Sequence, residues 1–466
     1  MPFLLILIIL LQSPTIKWAR IYGGENRDYA RSAIECQDHG FIGVGATNSY
    51  GNGRYDIFIF KVDSLGYPQW TKALGGSGDD YGSGICPVSE NTYFIVGTTF
   101  SAGHDRGDIL LLKINEAGDS IGARVYGDTA EEWGYGITPT LDNNYLLWGT
   151  TNSSGAGNQD IFLLKIDSTG EVIWSKTYGG SEDDYAYCGV ATHDHGAILT
   201  GKTYSFGNGG SDIITVKINA QGEVEWMSLY GTYFDESGFC IQETLDSGYI
   251  VCGTAYFTLL GQEWCLLRYN QRGTLVWSRF QGSLNNDTAF SVQEIGNNNY
   301  ILAGNFSYEM YTVRTDTAGL NLWTLIYGGP GTDCAYSIKK TSDDGYIIAG
   351  ITNSYGAGDD NAYLVRTYPD QTGVEELSRK YPGSPNTFRI FPSPCRNTVR
   401  ISGYLSNISN IVIYDIAGRR IKNFSLPKSE GFEWVWNCTD ETGREVPSGI
   451  YFLFLGDTLK KSIIKY

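Results

Sequence analysis

Histidine is scarce in this sequence, four in 466 residues, and no Cys-x-x-Cys pair occurs. The usual structural zinc frameworks are therefore excluded, and little imidazole is available for acid–base work. No nucleophile signature is found, and no phosphate-binding loop is read from the sequence. Positive charge is also short: 34 Lys and Arg stand against 51 Asp and Glu, a formal net charge of −17. Nucleic-acid binding needs a basic face, so that class of partner is excluded. Lys- and Glu-rich runs suited to long helices are missing. Long apolar runs are missing too, so no transmembrane segment is expected in the mature chain. The run from Phe3 to Leu11, nine residues, is too short to span a bilayer as a helix. It suits the apolar core of a signal peptide, although no Lys or Arg precedes it and no small-x-small cleavage site follows. Residues 1–13 are read as a signal peptide with a truncated start, a buried apolar strand being the alternative.

What is abundant is Gly (59), Tyr (33) and Trp (11), a balance that favours strands and tight turns. The abundance is periodic. Trp18, Trp70, Gly122, Trp174, Trp226, Trp277 and Trp323 are anchors spaced 52, 52, 52, 52, 51 and 46 residues apart. Five residues after each anchor stands a Gly: Gly23, Gly75, Gly127, Gly179, Gly231, Gly282 and Gly328. Ten residues after it stands a carboxylate: Asp28, Asp80, Glu132, Asp184, Glu236, Asp287 and Asp333. Twelve after it is always Ala or Gly.

Each repeat holds four short strand-like runs joined by turn sequences such as SDDG and DSTG. Seven such repeats predict an all-β fold, a seven-bladed β-propeller over residues 16–370. The seventh blade, ending at Asn361–Thr367, lacks a Trp strand of its own, whereas the chain opens with an isolated one around Trp18. The N-terminal strand is therefore expected to complete the last blade and close the ring, which leaves no exposed sheet edge. The anchor Trp suits a blade-to-blade contact, and the Gly suits a positive φ at the strand exit.

The longer loops, such as GGSEDDY and TNSSGAGNQD, fall on one face and the tight turns on the other. On the loop face the carboxylates Asp28, Asp80, Glu132 and Asp184, each followed by Tyr29, Tyr81, Trp133 or Tyr185, could form an acidic, aromatic rim for a glycan or a cation such as calcium. Equally, each carboxylate could accept backbone N–H bonds in its own turn. A requirement repeated in every blade is more often structural. Departures from the repeat are sharper functional signals. The loops of blades five and six become TAYFTLLGQEW and NFSYEMY. Tyr256, Phe257, Leu259, Leu260, Trp264, Tyr308 and Tyr311 are expected there as an exposed apolar partner patch, or as loops packed on each other. Gly122 leaves an anchor vacant, which Trp148 is expected to fill. His193 and His195 lie in a tight turn, and no metal site is assigned to them.

"KIDSTGEVIW" looks like the tryptophan-docked blades of quinoprotein-type propellers, and "GGSEDDYAYCGVATHDHGAILTGKT" resembles bacterial extracellular seven-bladed propeller repeats. That resemblance implies a fold and no activity, and no quinone-binding set accompanies it, so no cofactor is expected.

From Pro385 the period breaks after a polar linker (371–384), and net charge turns from −21 to +4. Residues 385–466 alternate as a small immunoglobulin-like β-sandwich. Phe391-Pro392-Ser393-Pro394, Tyr414-Asp415, Gly418-Arg419, Trp436, Asp440, Gly443 and Pro447-Ser448-Gly449-Ile450-Tyr451 resemble the C-terminal sorting domain of type IX secretion. The immunoglobulin-like domain of flagellar hook-capping proteins is a related match. That resemblance implies a secreted or cell-surface protein that engages the secretion machinery. Nine cysteines leave at least one unpaired within the chain. Five are expected as buried thiols in the inner strands, while Cys395 and Cys438 could pair. The functional expectation is a binding scaffold for a glycan or protein; the alternative is a polysaccharide- or peptide-degrading enzyme with its site on the loop face.

Overall fold

Residues Met1–Gly373 of the computed structural model form one unit that holds seven four-stranded antiparallel sheets and a two-stranded one, Leu11–Gln12 with Gln371–Thr372, and residues Val374–Tyr466 form a second unit. Described are residues 11–12 and 14–372, except 105, 258–260, 283–284, 357 and 370. In the second unit the described residues are 387–391, 399–404, 410–415, 419–425, 432–447, 449–455 and 458–465. Residues 1–10 and 13, and with them most of the expected signal peptide, lie outside them, as do Phe391's successors Pro392, Ser393 and Pro394 and the linker residues 373–384.

Every blade runs from the axis outward in chain order. Blade 4, for example, comprises Asp184–Ala191, Ala197–Thr203, Asp212–Ile218 and Val224–Tyr230. Blade 7 is assembled from Asp333–Lys340, Tyr346–Thr352, Asn361–Thr367 and the N-terminal strand Ile16–Tyr22, with Trp18 opposite Arg366 and Tyr22 opposite Ala362. The ring is thus closed by its first strand, as the sequence predicts. The middle strands are buried on both faces and read as near-continuous apolar runs, as sheets covered on both sides must.

The anchor Trp joins blades. Trp18 Nε1 donates to Ser64 O at 3.0 Å and Trp70 Nε1 to Glu116 O at 3.1 Å, each in the turn before the outer strand of the next blade. A Gly in that turn (Gly66, Gly118, Gly222, Gly273, Gly319) takes a positive φ and lies flat under the indole. Where Gly122 replaces the Trp, the aliphatic part of Arg124 and Leu111 cover the corresponding Gly170, and Arg124 Nε donates to Thr169 O at 3.0 Å. Trp148 does not fill this vacancy. It lies in a second strand, buried between Gly136 and Gly189 near the inner strands.

Each third strand carries a cation, buried in all but blade 2, where Lys113 is half-buried, and five of them pair with a turn Asp in the same blade: Lys61–Asp38, Lys165–Asp142, Lys217–Asp194, Arg268–Asp246 and Arg366–Asp343. His39 and His195 hold φ of 60° and 66° in those same turns. Cys36, Cys86 and Cys334 are buried free thiols; Cys188 and Cys240 are half-buried, with sulfurs 3.8 Å apart.

In the second unit, strands Thr387–Phe391, Val399–Tyr404 and Phe432–Trp436 form one sheet, and Asn410–Asp415, Arg420–Ser425, Gly449–Leu455 and Thr458–Lys465 the other. Trp436 of the first sheet meets Tyr451 of the second at 5.3 Å, so the two sheets pack as a β-sandwich. Cys395 lies outside the described residues, and so does its pairing with Cys438.

Candidate functional site

The tenth-position carboxylates are not on a rim. Asp28, Asp80, Asp184, Glu236, Asp287 and Asp333 are fully buried, and Glu132 nearly so. Asp184 Oδ2 accepts Gly180 N and Ser205 Oγ, both at 2.7 Å; Asp28 repeats this with Gly24 N and Ser49 Oγ, and Asp80 with Gly76 N at 2.9 Å and Ser101 Oγ at 2.6 Å. Each therefore ties the interblade loop to the loop between the second and third strands of its own blade. The preceding Gly is explained by the same packing. A side chain on Gly75 would overlap carboxylate oxygens of Asp56 and Asp80, and one on Gly179 those of Asp160 and Asp184. Only Gly23, Gly127 and Gly328 of the seven have a positive φ, so close approach of carboxylates is the shared requirement. With no exposed surface, Asp28, Asp80, Glu132 and Asp184 do not form the open rim expected for a glycan.

The rim acids stand one residue earlier: Asp79, Glu131, Asp183 and Asp235. Trp133 Nε1 donates to Glu131 at 2.7 Å and Tyr81 Oη to Asp79 at 3.3 Å. Asp79, Asp183 and Asp235 also accept the backbone N–H of Tyr55, Gln159 and Ser211. The sequence reading missed this column, although it is readable in the same alignment of repeats.

Tyr29, Tyr81, Trp133 and Tyr185 are half-buried at the start of the inner strands. Tyr81 stacks on Trp133 (6.0 Å) and Tyr185 on Tyr187 (6.0 Å, 16° between planes). The larger feature below them was also missed. In all seven inner strands the pairing skips one residue, thirteen after the anchor: Arg31, Ser83, Tyr135, Tyr187, Phe239, Phe290 and Tyr336. A bulge of this kind re-aims its side chain. Here the bulged rings touch from blade to blade: Tyr135–Tyr187 at 5.6 Å, Tyr187–Phe239 at 5.3 Å, Phe239–Phe290 at 4.9 Å and Phe290–Tyr336 at 5.4 Å. Because these are the innermost strands, the rings form an aromatic belt around the channel over five blades. Arg31 closes it from blade 1, its guanidinium 4.5 Å from the Tyr336 ring, and blade 2 contributes only Ser83.

Burial pushes the hydroxyls of Tyr81, Tyr185 and Tyr336 up to about 12, and raises Tyr135 and Tyr187 too. All stay protonated at neutral pH, so the belt offers O–H donors and ring faces and no base.

The partner patch is corrected in part. Trp264 and Tyr311 are buried core residues, because the second and third strands of blade 5 extend to Tyr249–Phe257 and Gly261–Tyr269, which places Trp264 within a sheet opposite Thr254. Tyr311 likewise pairs with Gly304 in blade 6. Tyr256 and Tyr308 are exposed; Leu259 and Leu260, and the side chain of Phe257, lie outside the described residues. Tyr256 joins Tyr233, Phe234, Asp235 and Gly210 around a cleft of about 380 Å³ on the loop face.

No group of three or more His, Cys, Asp or Glu is set to hold a metal among the described residues. His193 pairs with Glu243 of the next blade at 2.7 Å. Gly196-Ala-Ile-Leu-Thr-Gly201-Lys202-Thr203 does have the letter spacing of a phosphate-binding loop, unnoticed in the sequence reading. Its residues Ala197–Thr203 form a strand paired on both edges, with no loop to cradle a phosphate.

Fold and channel together define a β-propeller that carries a separate β-sandwich. Residues 389–466 match the secretion-system C-terminal sorting domain family, and the chain is a secreted or cell-surface protein of type IX secretion. That tail engages the secretion machinery. No curated protein matches the chain. Among solved structures, it is similar to PorZ, an essential bacterial surface component of the type IX secretion system of Porphyromonas gingivalis (13% identity, TM-score 0.46, 96% of this chain and 60% of that one). It is also similar to YCF48 bound to a D1 peptide (12%, 0.46, 79% and 100%) and to puromycin hydrolase (12%, 0.49, 84% and 61%). The chain thus spans about 60% of PorZ and of the hydrolase. None of these likenesses bears on ligand or activity. No helix among the described residues is long and apolar enough to cross a membrane.

Proposed function

We propose that this surface protein is a binding scaffold whose propeller channel takes a glycan at the aromatic belt. The observation that carries this reading is the bulge in all seven inner strands, which brings five consecutive half-buried aromatic rings into contact along the innermost strands. Half-buried tyrosine and phenylalanine rings suit the apolar faces of sugars, and phenolic hydroxyls donate to sugar oxygens. The rim acids accept from sugar hydroxyls where their own donors leave a lone pair free. The reading is supported by the buried carboxylates of the repeat, whose oxygens hold loops, and by tyrosines that stay protonated.

The test is a panel of oligosaccharides and peptides titrated into the full chain, with products followed by mass spectrometry. Binding without cleavage, weakened at least tenfold by Tyr187→Ala or Phe239→Ala with folding intact, is the expected result. Cleavage of a bound oligomer would replace this reading with the degrading-enzyme one.

A further inference from the structure

The propeller's cations are distributed unevenly between paired and unpaired. The third-strand cations Lys61, Lys165, Lys217, Arg268 and Arg366 each have a carboxylate within 4.0 Å, and at the mouth Arg27 has Asp360 at 2.7 Å. In a chain with net charge −17, acids are not in short supply. Two channel cations nonetheless have none among the described residues: Arg31 and Lys339.

Their placement is a departure from the repeat. Of seven bulged positions, only blade 1 presents a cation, and its neighbour Ser83 is the smallest side chain of the column. The Arg31 guanidinium rests over the Tyr336 ring, exposed to the channel. Lys339 lies three residues further along the strand that bears Tyr336, so about 10 Å deeper at the rise of an extended chain. The column it occupies is otherwise Ile34, Cys86, Thr138, Val190, Gln242 and Gln293, all without charge. Its electrostatic neighbours are the thiols of Cys86, Cys188 and Cys240, from blades across the channel. It is half-exposed to channel space yet enclosed by protein, and burial holds its ammonium below the ordinary lysine range. An enclosed cation without a counter-charge is costly, and an incoming anion relieves that cost. The rim has the matching asymmetry. Asp79, Glu131, Asp183 and Asp235 fall to blades 2–5, whereas the equivalent places elsewhere are Arg27, Asn286 and Thr332. The acids of this column thus lie away from the wall formed by blades 7 and 1, where Arg27 is itself paired with Asp360.

We infer that the channel selects a glycan bearing carboxylates, of the uronic-acid type, with one sugar ring on Tyr336 and Phe290, its carboxylate on Arg31, and Lys339 receiving a second anionic group deeper in. This rests on the proposed glycan reading and adds the charge of the ligand. Stacking by the belt and ion pairing by Arg31 are satisfied together by a ring that carries its own carboxylate.

The experiment titrates the full chain with an oligogalacturonate and with the same oligomer fully methyl-esterified, which keeps the rings and removes the charge. A third arm is a peptide with a free C-terminal carboxylate. The acid form should bind at least tenfold more tightly than the ester, with affinity falling as salt rises. Arg31→Gln and Lys339→Met, each checked for unchanged thermal unfolding, should erase that preference. Tyr187→Ala should weaken acid and ester alike. Equal binding of acid and ester would overturn the inference and leave the glycan reading standing. Binding of neither oligomer would overturn both. A carboxylate preference confined to the peptide would overturn the sugar class.

Discussion

Asp184 has no exposed surface, and its Oδ2 holds two loops together through Gly180 N–H and Ser205 O–H. Asp184→Ala removes the acceptor of Gly180 N–H and Ser205 O–H together, so a loss of about 1–3 kcal/mol is expected in urea unfolding. Ligand affinity of the folded variant should change little; a variant of full stability that no longer binds would return the carboxylate to the rim. Trp148 is a second residue whose role came out differently from its expectation. It is buried and donates from Nε1 to Tyr187 O at 3.3 Å, behind the belt. Trp148→Ala should cost about 3–5 kcal/mol by denaturant titration, and a cost under about 1 kcal/mol would show that the site collapses around the void. Spacing alone placed Asp184 at the right loop but assigned Trp148 to the wrong contact. It did not say which side of the loop a carboxylate faces, because that depends on donors such as Ser205, twenty-one residues away.

At the level of the strand, the ring depends on Ile16–Tyr22. Trp18 and Tyr22 are buried in the cluster with Phe41, Phe58 and Phe60, and Tyr22 stacks on Phe60 at 4.6 Å. A chain starting after Tyr22 would expose the edge of Asn361–Thr367, whose backbone groups would then pair with another copy. Self-association by size-exclusion chromatography is expected, with a synthetic peptide of residues 16–22 restoring the monomer; a truncated chain that stays monomeric without the peptide would deny the strand its closing role. This closure was legible, since a missing Trp strand at one end matched a spare one at the other. The bulges were not. A skipped residue is a property of two strands in register, and one strand's letters do not show it. The thirteenth-position column of Tyr, Tyr, Phe, Phe and Tyr could have been read in the repeats, but without the bulge it would have been placed between blades. Trp264 and Tyr311 failed for a related reason. Where the Gly-rich loop signature is lost, the replacing residues read as an exposed loop patch, whereas Trp264 and Tyr311 belong to strands.

Over the whole ring, one charge pattern recurs at blade boundaries. The first residue of a third strand and the first carboxylate of the next inner strand crowd the same Gly: Asp56 with Asp80, Asp108 with Glu132, Asp160 with Asp184. Burial, with a neighbouring carboxylate, raises the pKa of Asp160, Glu236, Glu263 and Glu309, and burial alone raises Asp212. On the opposite, tight-turn face, hydrogen bonds and cations outweigh burial and lower Asp38, Asp142, Asp194, Asp246 and Asp343. The two sets act in opposite directions. A raised carboxyl holds its proton more tightly when folded, so its contribution is complete below the unfolded pKa and is lost as pH climbs through the folded one. A lowered carboxyl contributes above the unfolded pKa, and that contribution is lost as pH falls through the folded one. Asp212→Asn keeps an acceptor for Asn208 N–H and removes the charge. It should therefore stabilise the chain more at pH 8 than at pH 5. Asp142→Asn, which weakens the pair with Lys165 at 2.7 Å, should destabilise at pH 7 and lose its effect in acid. Urea midpoints of the two variants against the parent, taken from pH 3 to pH 8, would check both signs at once. Parallel rather than opposite trends would mean that the boundary carboxylates are neutralised by something other than a proton.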